Sequence, residues 1–241
     1  MLMVNRFLSI NLNKLSYRVV SGRCILCQSH SLRGLDLCQH CENDLPWLAT
    51  YCARCALPLP ENYRDTQCGR CLRKPPVFTH CYCALSYGFP VDRLIAGFKH
   101  QNQLHYGAIL SALWLKHCQD QLDAVPDALV PVPMHWRRRI SRGFNQSLLI
   151  AKDLGSALNI PVYHAVSHPR ANHSQQGLSA AARRKNLRQA FSFNSAYDIK
   201  GKHLAVIDDV VTTTATANTM AAILARNGAK QVDIWCLART P

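Results

Sequence analysis

The sequence predicts an α/β domain with a parallel sheet, preceded by a small metal-binding module. Ten of the 12 cysteines precede residue 84, and most of them form CxxC pairs. From about Tyr87 onward, strand-like and helix-like apolar patterns alternate, which is typical of a parallel sheet covered by helices. We therefore expect an N-terminal extension over 1–23, a cysteine-rich module over 24–76 and an α/β domain over 87–241. The boundary is predicted between residues 76 and 90, after the Pro75-Pro76 break.

The cysteine-rich module contains four CxxC pairs, separated by gaps of ten, ten and twelve residues. Eight thiolates fill two tetrahedral sites, so the array predicts two structural zinc ions with no open coordination position. The spacing allows either sequential or interleaved pairing of the CxxC motifs. Disulfides would need an oxidising compartment, and iron–sulfur motifs usually have uneven spacing. The predicted zinc ligands are Cys24, Cys27, Cys38, Cys41, Cys52, Cys55, Cys68 and Cys71.

The N-terminal 23 residues do not resemble a secretory signal. They are basic, but polar residues interrupt every apolar stretch before a block of about 7–15 residues can form. No window of the chain reaches the ~18–20 apolar residues that a membrane helix needs. We therefore expect a cytoplasmic protein without membrane insertion, in which clustered thiols stay reduced.

Positive charge is concentrated in one segment of the chain. Residues 130–190 contain ten basic side chains and one acid, Asp153, and so contribute +9 of the formal net charge of +14. Such a segment attracts phosphate on a nucleotide or a polynucleotide. A solvated basic surface is the alternative interpretation. Trp136 and Phe144 lie among the arginines, and they either stack on single-stranded bases or pack in the core.

The α/β domain is predicted as a series of short elements. Strands are predicted at 128–132, 160–162, 203–207 and 231–237, and helices at 146–158 and 216–227, with Gly228 ending the last helix. An Arg-rich loop is predicted from Arg137 to Gly143. Strand–helix–strand order implies right-handed crossovers and a parallel sheet, whose ligands bind outside the carboxyl ends of the strands.

The segment from Val206 to Thr216 is the most informative for function. A buried strand leads into Asp208-Asp209, then into a threonine-rich loop and the start of a helix. The N-terminus of a helix offers free N–H groups that suit a phosphate, and adjacent carboxylates accept hydrogen bonds from ribose hydroxyls. The structural alternative is that the acids cap a turn and the threonines cap the helix. Two adjacent carboxylates at the end of a buried strand lose hydration, which costs free energy unless a cation or a hydrogen-bond donor pairs with them.

This segment resembles the phosphoribosyl-pyrophosphate motif of type I phosphoribosyltransferases, and the whole chain resembles the ComF/GntX competence-associated family. The second resemblance extends over most of the chain, and the Arg-Gly-Phe-Asn-Gln element combined with the CxxC array is specific to that family. It rests on the cysteines from Cys24 to Cys71, Phe98-Lys99, Pro131-Val132-Pro133, Arg142-Gly143-Phe144-Asn145-Gln146, Arg170, Gln175, Leu178-Ser179, Arg183, Asn186 and the Asp208–Thr216 loop.

The resemblance implies a type I phosphoribosyltransferase-like sheet with an N-terminal double zinc ribbon. Asp208 and Asp209 would be the catalytic pair facing the ribose 2- and 3-hydroxyls. The 5-phosphate would bind at Val211, Thr212, Thr213, Thr214, Ala215 and Thr216. Pyrophosphate, with Mg²⁺, would meet Arg137, Arg138, Arg139 and Arg142, and a mobile segment would contribute Arg170, Gln175 and Arg183.

One position departs from the family pattern. Thr214 stands where the phosphate loop of these enzymes usually has glycine, which serves where φ is positive or a ligand approaches closely. A β-branched residue fits either role badly, so this position weighs against tight binding of phosphoribosyl pyrophosphate.

Three functions remain open at the level of sequence. The favoured one is a phosphoribosyltransferase-like protein in DNA uptake or use of external DNA, which binds phosphoribosyl pyrophosphate or a related sugar phosphate and works with DNA-uptake proteins. The alternatives are a Mg²⁺-dependent phosphoribosyltransferase of nucleotide salvage and a non-catalytic, zinc-containing module that binds single-stranded DNA. Whether the chain is an enzyme is left open.

Overall fold

The computed structural model describes residues 22–101, 103–168 and 191–241. These fall into two compact units: one ends at Pro46, and the other runs from Trp47 to Pro241. The division separates the first two CxxC pairs from the last two. The sequence boundary predicted between residues 76 and 90 therefore does not coincide with this division, since the second two CxxC pairs belong to the same unit as the sheet.

The two cysteine-rich ribbons share one local design. In each, the first CxxC pair is followed by a residue with left-handed backbone, Gln28 at φ 65° and Ala56 at φ 53°. A short helix then begins directly after the third cysteine of each ribbon: α1 spans Gln39–Asn43 and α2 spans Gly69–Arg73. Cys38 also caps α1, because its sulfur accepts a hydrogen bond from the backbone N–H of Cys41.

The larger unit is built on a four-stranded parallel sheet. Its elements continue in chain order as β1 Cys81–Ser86, α3 Val91–His100, α4 Leu104–Cys118, a 3-10 turn Gln119–Gln121, β2 Ala128–Pro131, α5 Trp136–Arg142, α6 Gln146–Leu158, β3 Val166–Ser167, β4 Ser192–Phe193, β5 His203–Val211, α7 Ala215–Arg226 and β6 Gln231–Arg239. The sheet order is β1-β6-β5-β2 with every pair parallel, while β3 and β4 form a separate antiparallel pair. The predicted parallel α/β fold with an N-terminal ribbon module is confirmed.

Local sequence explains the bounds of α6. Asn145 precedes it in extended backbone, and its side-chain oxygen accepts a hydrogen bond from Ser147 N at 3.1 Å. Asn159 ends it in the left-handed conformation that Asn tolerates well. The helix therefore has the predicted bounds, with Ile150, Ala151 and Leu154 buried.

The second ribbon is part of the core of the larger unit. Its four cysteines are buried in one apolar cluster with Leu204 and Val206 of β5 and with Met220 of α7. With no long Gly/Ser linker after Pro76, the cysteine-rich half and the α/β half are expected to pack together. In the larger unit the second ribbon packs on the sheet, where it covers an apolar face that would otherwise meet water.

Two predicted elements differ from the structure. Residues 137–143 were expected as a loop, but 136–142 form the helix α5, since this stretch contains neither Gly nor Pro and Gly143 ends it at φ 80°. The strand predicted at 160–162 is reduced to a single parallel bridge between Leu129 and Val162. Pro161 has no N–H to donate, which limits a ladder at this edge of the sheet.

None of the described helices is both long enough and apolar enough to span a bilayer.

Candidate functional site

The eight predicted zinc ligands lie in two separate groups. Cys24, Cys27, Cys38 and Cys41 bring their sulfurs within 4.8 Å of one another, and Cys52, Cys55, Cys68 and Cys71 do the same. The CxxC pairs are therefore paired sequentially, and interleaved pairing is excluded. We call these groups site 1 and site 2.

The geometry of both groups fits a tetrahedral zinc ion. Four sulfurs at Zn–S of ~2.3 Å are separated along each tetrahedral edge by about 3.8 Å. The Sγ–Sγ distance is 3.7 Å between Cys27 and Cys38 and 3.8 Å between Cys55 and Cys68. All four residues of site 2 are buried, whereas Cys27 of site 1 is exposed and Cys41 is half-buried. These are closed four-cysteine zinc-binding sites of the structural type.

The acid pair lies on β5, beyond the end of its neighbour β2. β2 pairs with β5 only as far as Pro131 opposite Ile207, while β5 continues alongside β6 to Val211. Asp208 and Asp209 therefore stand at the carboxyl end of the sheet, where one edge of β5 is no longer paired. This is the edge at which parallel α/β sheets bind ligands.

A lysine from a distant helix neutralises part of the acid pair. Lys99, near the end of α3, places its Nζ 2.9 Å from Oδ2 of Asp209. Both side chains are largely shielded from water, with 22% of Lys99 and 12% of Asp209 exposed. The neighbouring Phe98 packs against Phe144, with ring centroids 5.7 Å apart, and this contact holds α3 next to the α5–α6 connection. Phe144 is thus used in packing.

The start of α6 contacts the other acid. Ser147 Oγ donates to Oδ1 of Asp208 at 3.1 Å, and Asn145 Nδ2 donates to the carbonyl of Val132 at 3.0 Å. Gln146 is 2% exposed, and its amide nitrogen has no hydrogen-bond partner among the described residues. Because a buried donor without a partner is costly, this amide is suited to a ligand or an ordered water.

The surroundings raise the pKa of Asp208 to about 7. The main cause is burial, and the charge of Asp209 adds to it. The hydrogen bonds from Asp209 N and Ser147, together with the charge of Lys99, oppose the shift. Burial thus favours the protonated form of this carboxyl more than in a free aspartate; the protonated form donates a hydrogen bond and the ionised form accepts one. Such a group matches a ribose hydroxyl in either state.

The threonine-rich loop lies between β5 and α7. Thr212 and Thr213 are exposed, and Thr214 is buried at the N-cap position of α7. Thr214 has φ 63° and ψ 5°, a left-handed conformation that glycine adopts without strain and a β-branched residue does not. The departure found in the sequence therefore coincides with a strained backbone. Its hydroxyl donates to the carbonyl of Thr213 and accepts a 3.5 Å hydrogen bond from Arg70 of α2.

The structure describes only some of the predicted arginine-loop and mobile-segment residues. Arg138 is exposed on α5, and Arg142 is half-buried and donates to Gln146 Oε1 at 3.2 Å. Arg137 and Arg139 belong to the same helix. The predicted mobile segment with Arg170, Gln175 and Arg183 lies outside the described residues, as do positions 1–21 of the predicted N-terminal extension.

Sequence reasoning missed the direct partners of the acid pair. Lys99, Gln146 and Ser147 were not proposed as site residues, although Phe98-Lys99 and the Arg142–Gln146 motif contributed to the family resemblance. That resemblance was the available signal, because these segments share no periodicity with β5. Lys99 and Asp209 are 110 positions apart and meet only through the folded sheet.

Comparisons with known proteins cover both parts of the chain. The family profile of the double zinc ribbon domain matches residues 18–84. Among solved structures, adenine phosphoribosyltransferase from Saccharomyces cerevisiae aligns with a TM-score of 0.39 and 14% identity over 58% of this chain and 72% of that one. A purine phosphoribosyltransferase from Pyrococcus horikoshii aligns with a TM-score of 0.34 and 20% identity over 67% and 79%.

Curated relatives match over nearly the full length. The chain is 36% identical over 227 residues to the DNA utilization protein YhgH of Escherichia coli K12, covering 92% of this chain and 98% of that protein. It is 33% identical over 225 residues to competence protein F of Haemophilus influenzae, covering 90% and 96%. The chain therefore belongs to the competence protein F and DNA utilization protein family, as its motifs predict.

Proposed function

We propose that the carboxyl end of β5 and the loop from Val211 to Thr216 bind phosphoribosyl pyrophosphate or a related ribose phosphate. We further propose that the protein acts in the cytoplasm in the uptake or use of DNA. The observation that carries the first proposal is the position of Asp208 and Asp209 at the open edge of β5, directly before a hydroxyl-rich loop and a helix N-terminus. The names of the relatives support the second.

Charge balance supports a ligand with both hydroxyls and phosphate. In the described structure Lys99 is the cation on Asp209, and Ser147 is the hydroxyl donor on Asp208. A ribose diol offers the same hydroxyl donors, while phosphate oxygens would accept from the free N–H groups at the start of α7 and from Lys99. Carboxylate oxygens are also preferred ligands of Mg²⁺, and a bound Mg²⁺ ion would neutralise part of the charge of pyrophosphate. Asp208 and Asp209 would hold it.

Titration calorimetry with phosphoribosyl pyrophosphate and Mg²⁺ tests this proposal. We expect saturable heat from the wild-type protein and its loss in the double variant Asp208→Asn/Asp209→Asn, because neutral amides do not balance Lys99 or Mg²⁺. The variant Asp153→Asn is the control, since it removes one carboxylate of α6 and leaves the acid pair intact. Absence of heat from the wild-type protein at millimolar ligand contradicts the proposal.

A second candidate function is binding of single-stranded DNA, alone or together with the first. The described part of the basic segment supports it: Arg138 is exposed on α5, and Ile140 on the same helix is 74% exposed. Cations beside an apolar surface suit a flexible, stacked polyanion. We expect affinity for an oligothymidylate to fall steeply with salt, and the double Asn variant to retain or slightly raise it. Binding that is insensitive to salt removes this candidate.

A salvage phosphoribosyltransferase is the remaining alternative. In that case the protein would transfer phosphoribose to a free base, with release of pyrophosphate. Pyrophosphate release from phosphoribosyl pyrophosphate, assayed with each common nucleobase, separates an enzyme of this kind from a protein that only binds the sugar phosphate.

A further inference from the structure

Arg239, the last residue of β6, is a charged side chain buried in the larger unit. It is 1% exposed, and no acidic side chain of the described ranges forms an ion pair with it. Its guanidinium instead donates to backbone carbonyls. Burying a permanent charge costs free energy unless its N–H groups form hydrogen bonds. The contacts with carbonyl oxygens therefore offset the desolvation of the buried guanidinium.

The contacts of Arg239 join two sites of different chemistry. Nε donates to the carbonyl of Cys55, a ligand of site 2, at 3.0 Å. Nη1 donates to the carbonyls of Val211 and Thr212, where the threonine-rich loop begins, at 3.1 and 2.6 Å. A guanidinium is planar and rigid, so displacing the Cys55 carbonyl changes the orientation of the group that holds the loop.

Two more contacts run from the second ribbon to the same region. Arg70 lies between the site 2 ligands Cys68 and Cys71, and it reaches the hydroxyl of Thr214. Val77 N, just beyond the ribbon, donates to Oδ1 of Asn218 in the first turn of α7 at 2.9 Å. The strained backbone of Thr214 persists only where its surroundings hold it, and the ribbon supplies part of those surroundings.

We propose that metal occupancy of site 2 and ligand binding at the Val211–Thr216 loop are thermodynamically coupled, with Arg239 as the positioning residue between them. The ligand part of this coupling rests on the proposed function. A metal at site 2 fixes the Cys55 turn, the turn fixes Arg239, and Arg239 holds the first carbonyls of the loop. By linkage, a ligand that orders the loop must then raise the equilibrium affinity of site 2 for its metal by the same factor.

The first test needs no ligand. In the full-length variant Cys27→Ser, which lacks a site 1 thiolate, stepwise chelation removes the metal from site 2. We expect amide hydrogen exchange in residues 211–217 to rise by at least about tenfold on this removal, and to rise by more than exchange in α6, which reports unfolding of the whole unit. An equal rise in both segments would indicate global unfolding and would contradict the coupling. In the wild-type protein, loss of the more exposed site 1 metal alone should leave the exchange of these residues unchanged. Unchanged exchange after loss of the site 2 metal overturns the coupling.

The second test measures reciprocity with phosphoribosyl pyrophosphate and Mg²⁺ as the probe. We expect the ligand to raise the zinc affinity of site 2, measured at equilibrium by competition with a chelator, by about 5- to 150-fold, the range of ordinary coupling energies. Arg239→Met should abolish this increase in affinity, and Arg239→Lys should restore only part of it. Arg70→Ala should weaken it, with Arg73→Ala of the same helix as the matched control.

The outcomes separate the two proposals. If the wild-type protein does not bind the probe, the proposed function fails, while hydrogen exchange still decides whether site 2 controls the loop. If the probe binds and Arg239→Met retains full coupling, the role of Arg239 is wrong. If Arg239→Met does not fold, chelation of the Cys27→Ser protein decides the coupling, because that experiment leaves Arg239 in place.

Discussion

The two zinc ribbons use the same ligands and the same turn but differ in what surrounds them. In the unit that ends at Pro46, Cys27 is exposed and Cys41 half-buried, and the described apolar core is small. In the larger unit, all four site 2 cysteines are buried in the same cluster as β5 and α7. Metal therefore substitutes for a core in the first ribbon and becomes part of a core in the second.

The difference extends to single residues. Arg70 stands between the third and fourth cysteines of the second ribbon, and His40 occupies the corresponding position of the first. Arg70 contacts the threonine-rich loop, whereas α1 is stabilised within its own unit, where Arg33 forms an ion pair with the buried Glu42. A repeated motif has thus been adapted to two tasks by the residues between its ligands.

Removing one ligand from each ribbon should give the largest contrast. Cys55→Ser is expected to lower the melting temperature of the larger unit by more than about 10 °C or to prevent its folding, since a structural zinc contributes several kcal/mol and its cluster includes the sheet. Cys27→Ser should lower zinc content from two ions to one and shift that melting temperature little. Circular dichroism melts with metal analysis measure both, and equal shifts would show that the ribbons are equivalent.

Asp208 should give the larger unit a pH dependence near neutrality. The pKa of Asp208 is about 7 in the folded protein and ~3.9 in the unfolded chain, so folding favours the protonated carboxyl. Its contribution to the free energy of unfolding is therefore complete below about pH 4 and is lost as the pH rises to about 7. Asp208→Asn should therefore stabilise the protein by up to about 4 kcal/mol at pH 8 and by about a third of that at pH 5.

Chemical denaturation of both proteins at pH 5, 6, 7 and 8 measures this difference. Comparing variant with wild type cancels the pH dependence of zinc binding, which is common to both. Asp198→Asn is the control, since Asp198 lies apart from the acid pair in the connection before β5. A variant that is less stable than the wild type at pH 8 would contradict a raised pKa of Asp208.

The Lys99–Asp209 ion pair should make a moderate contribution to the free energy of unfolding. Lys99→Met leaves the largely shielded Asp209 carboxylate without its cation. The remaining 12% exposure of Asp209 limits the expected loss in the free energy of unfolding to about 1–2 kcal/mol at pH 7. Adding Asp209→Asn should recover most of it, because the uncompensated charge is then gone. A double-mutant cycle from urea unfolding gives the coupling, and Lys152→Met, an exposed lysine of α6, is the control. Additive effects would show that the pair is not coupled.

Patterns within one element were predictable, whereas contacts between distant elements were not. The bounds of α6 follow from a cap, an apolar period and a left-handed Asn, all local in sequence. The zinc ligands follow from spacing, although only the folded chain decided their pairing. Lys99 on Asp209 and Arg239 on Cys55 depend on which strands become neighbours, and no local pattern encodes that order. The helix α5 was missed because a run of arginines was interpreted by charge rather than by helix propensity.

Replacing Thr214 by glycine should have the smallest effect on stability of these substitutions and a clear effect on phosphate binding. A non-glycine residue at φ 63° costs about 1–2 kcal/mol, while glycine costs about 0.5–1 kcal/mol in chain entropy. Thr214→Gly should therefore change stability by less than about 1 kcal/mol, most of the gain being offset, and it should tighten binding of inorganic phosphate by opening the loop backbone. Thr213→Gly, at a neighbouring exposed residue without positive φ, should only destabilise. Equal losses in both variants would show that Thr214 is not strained, and the loop would then owe its shape to the ribbon contacts alone.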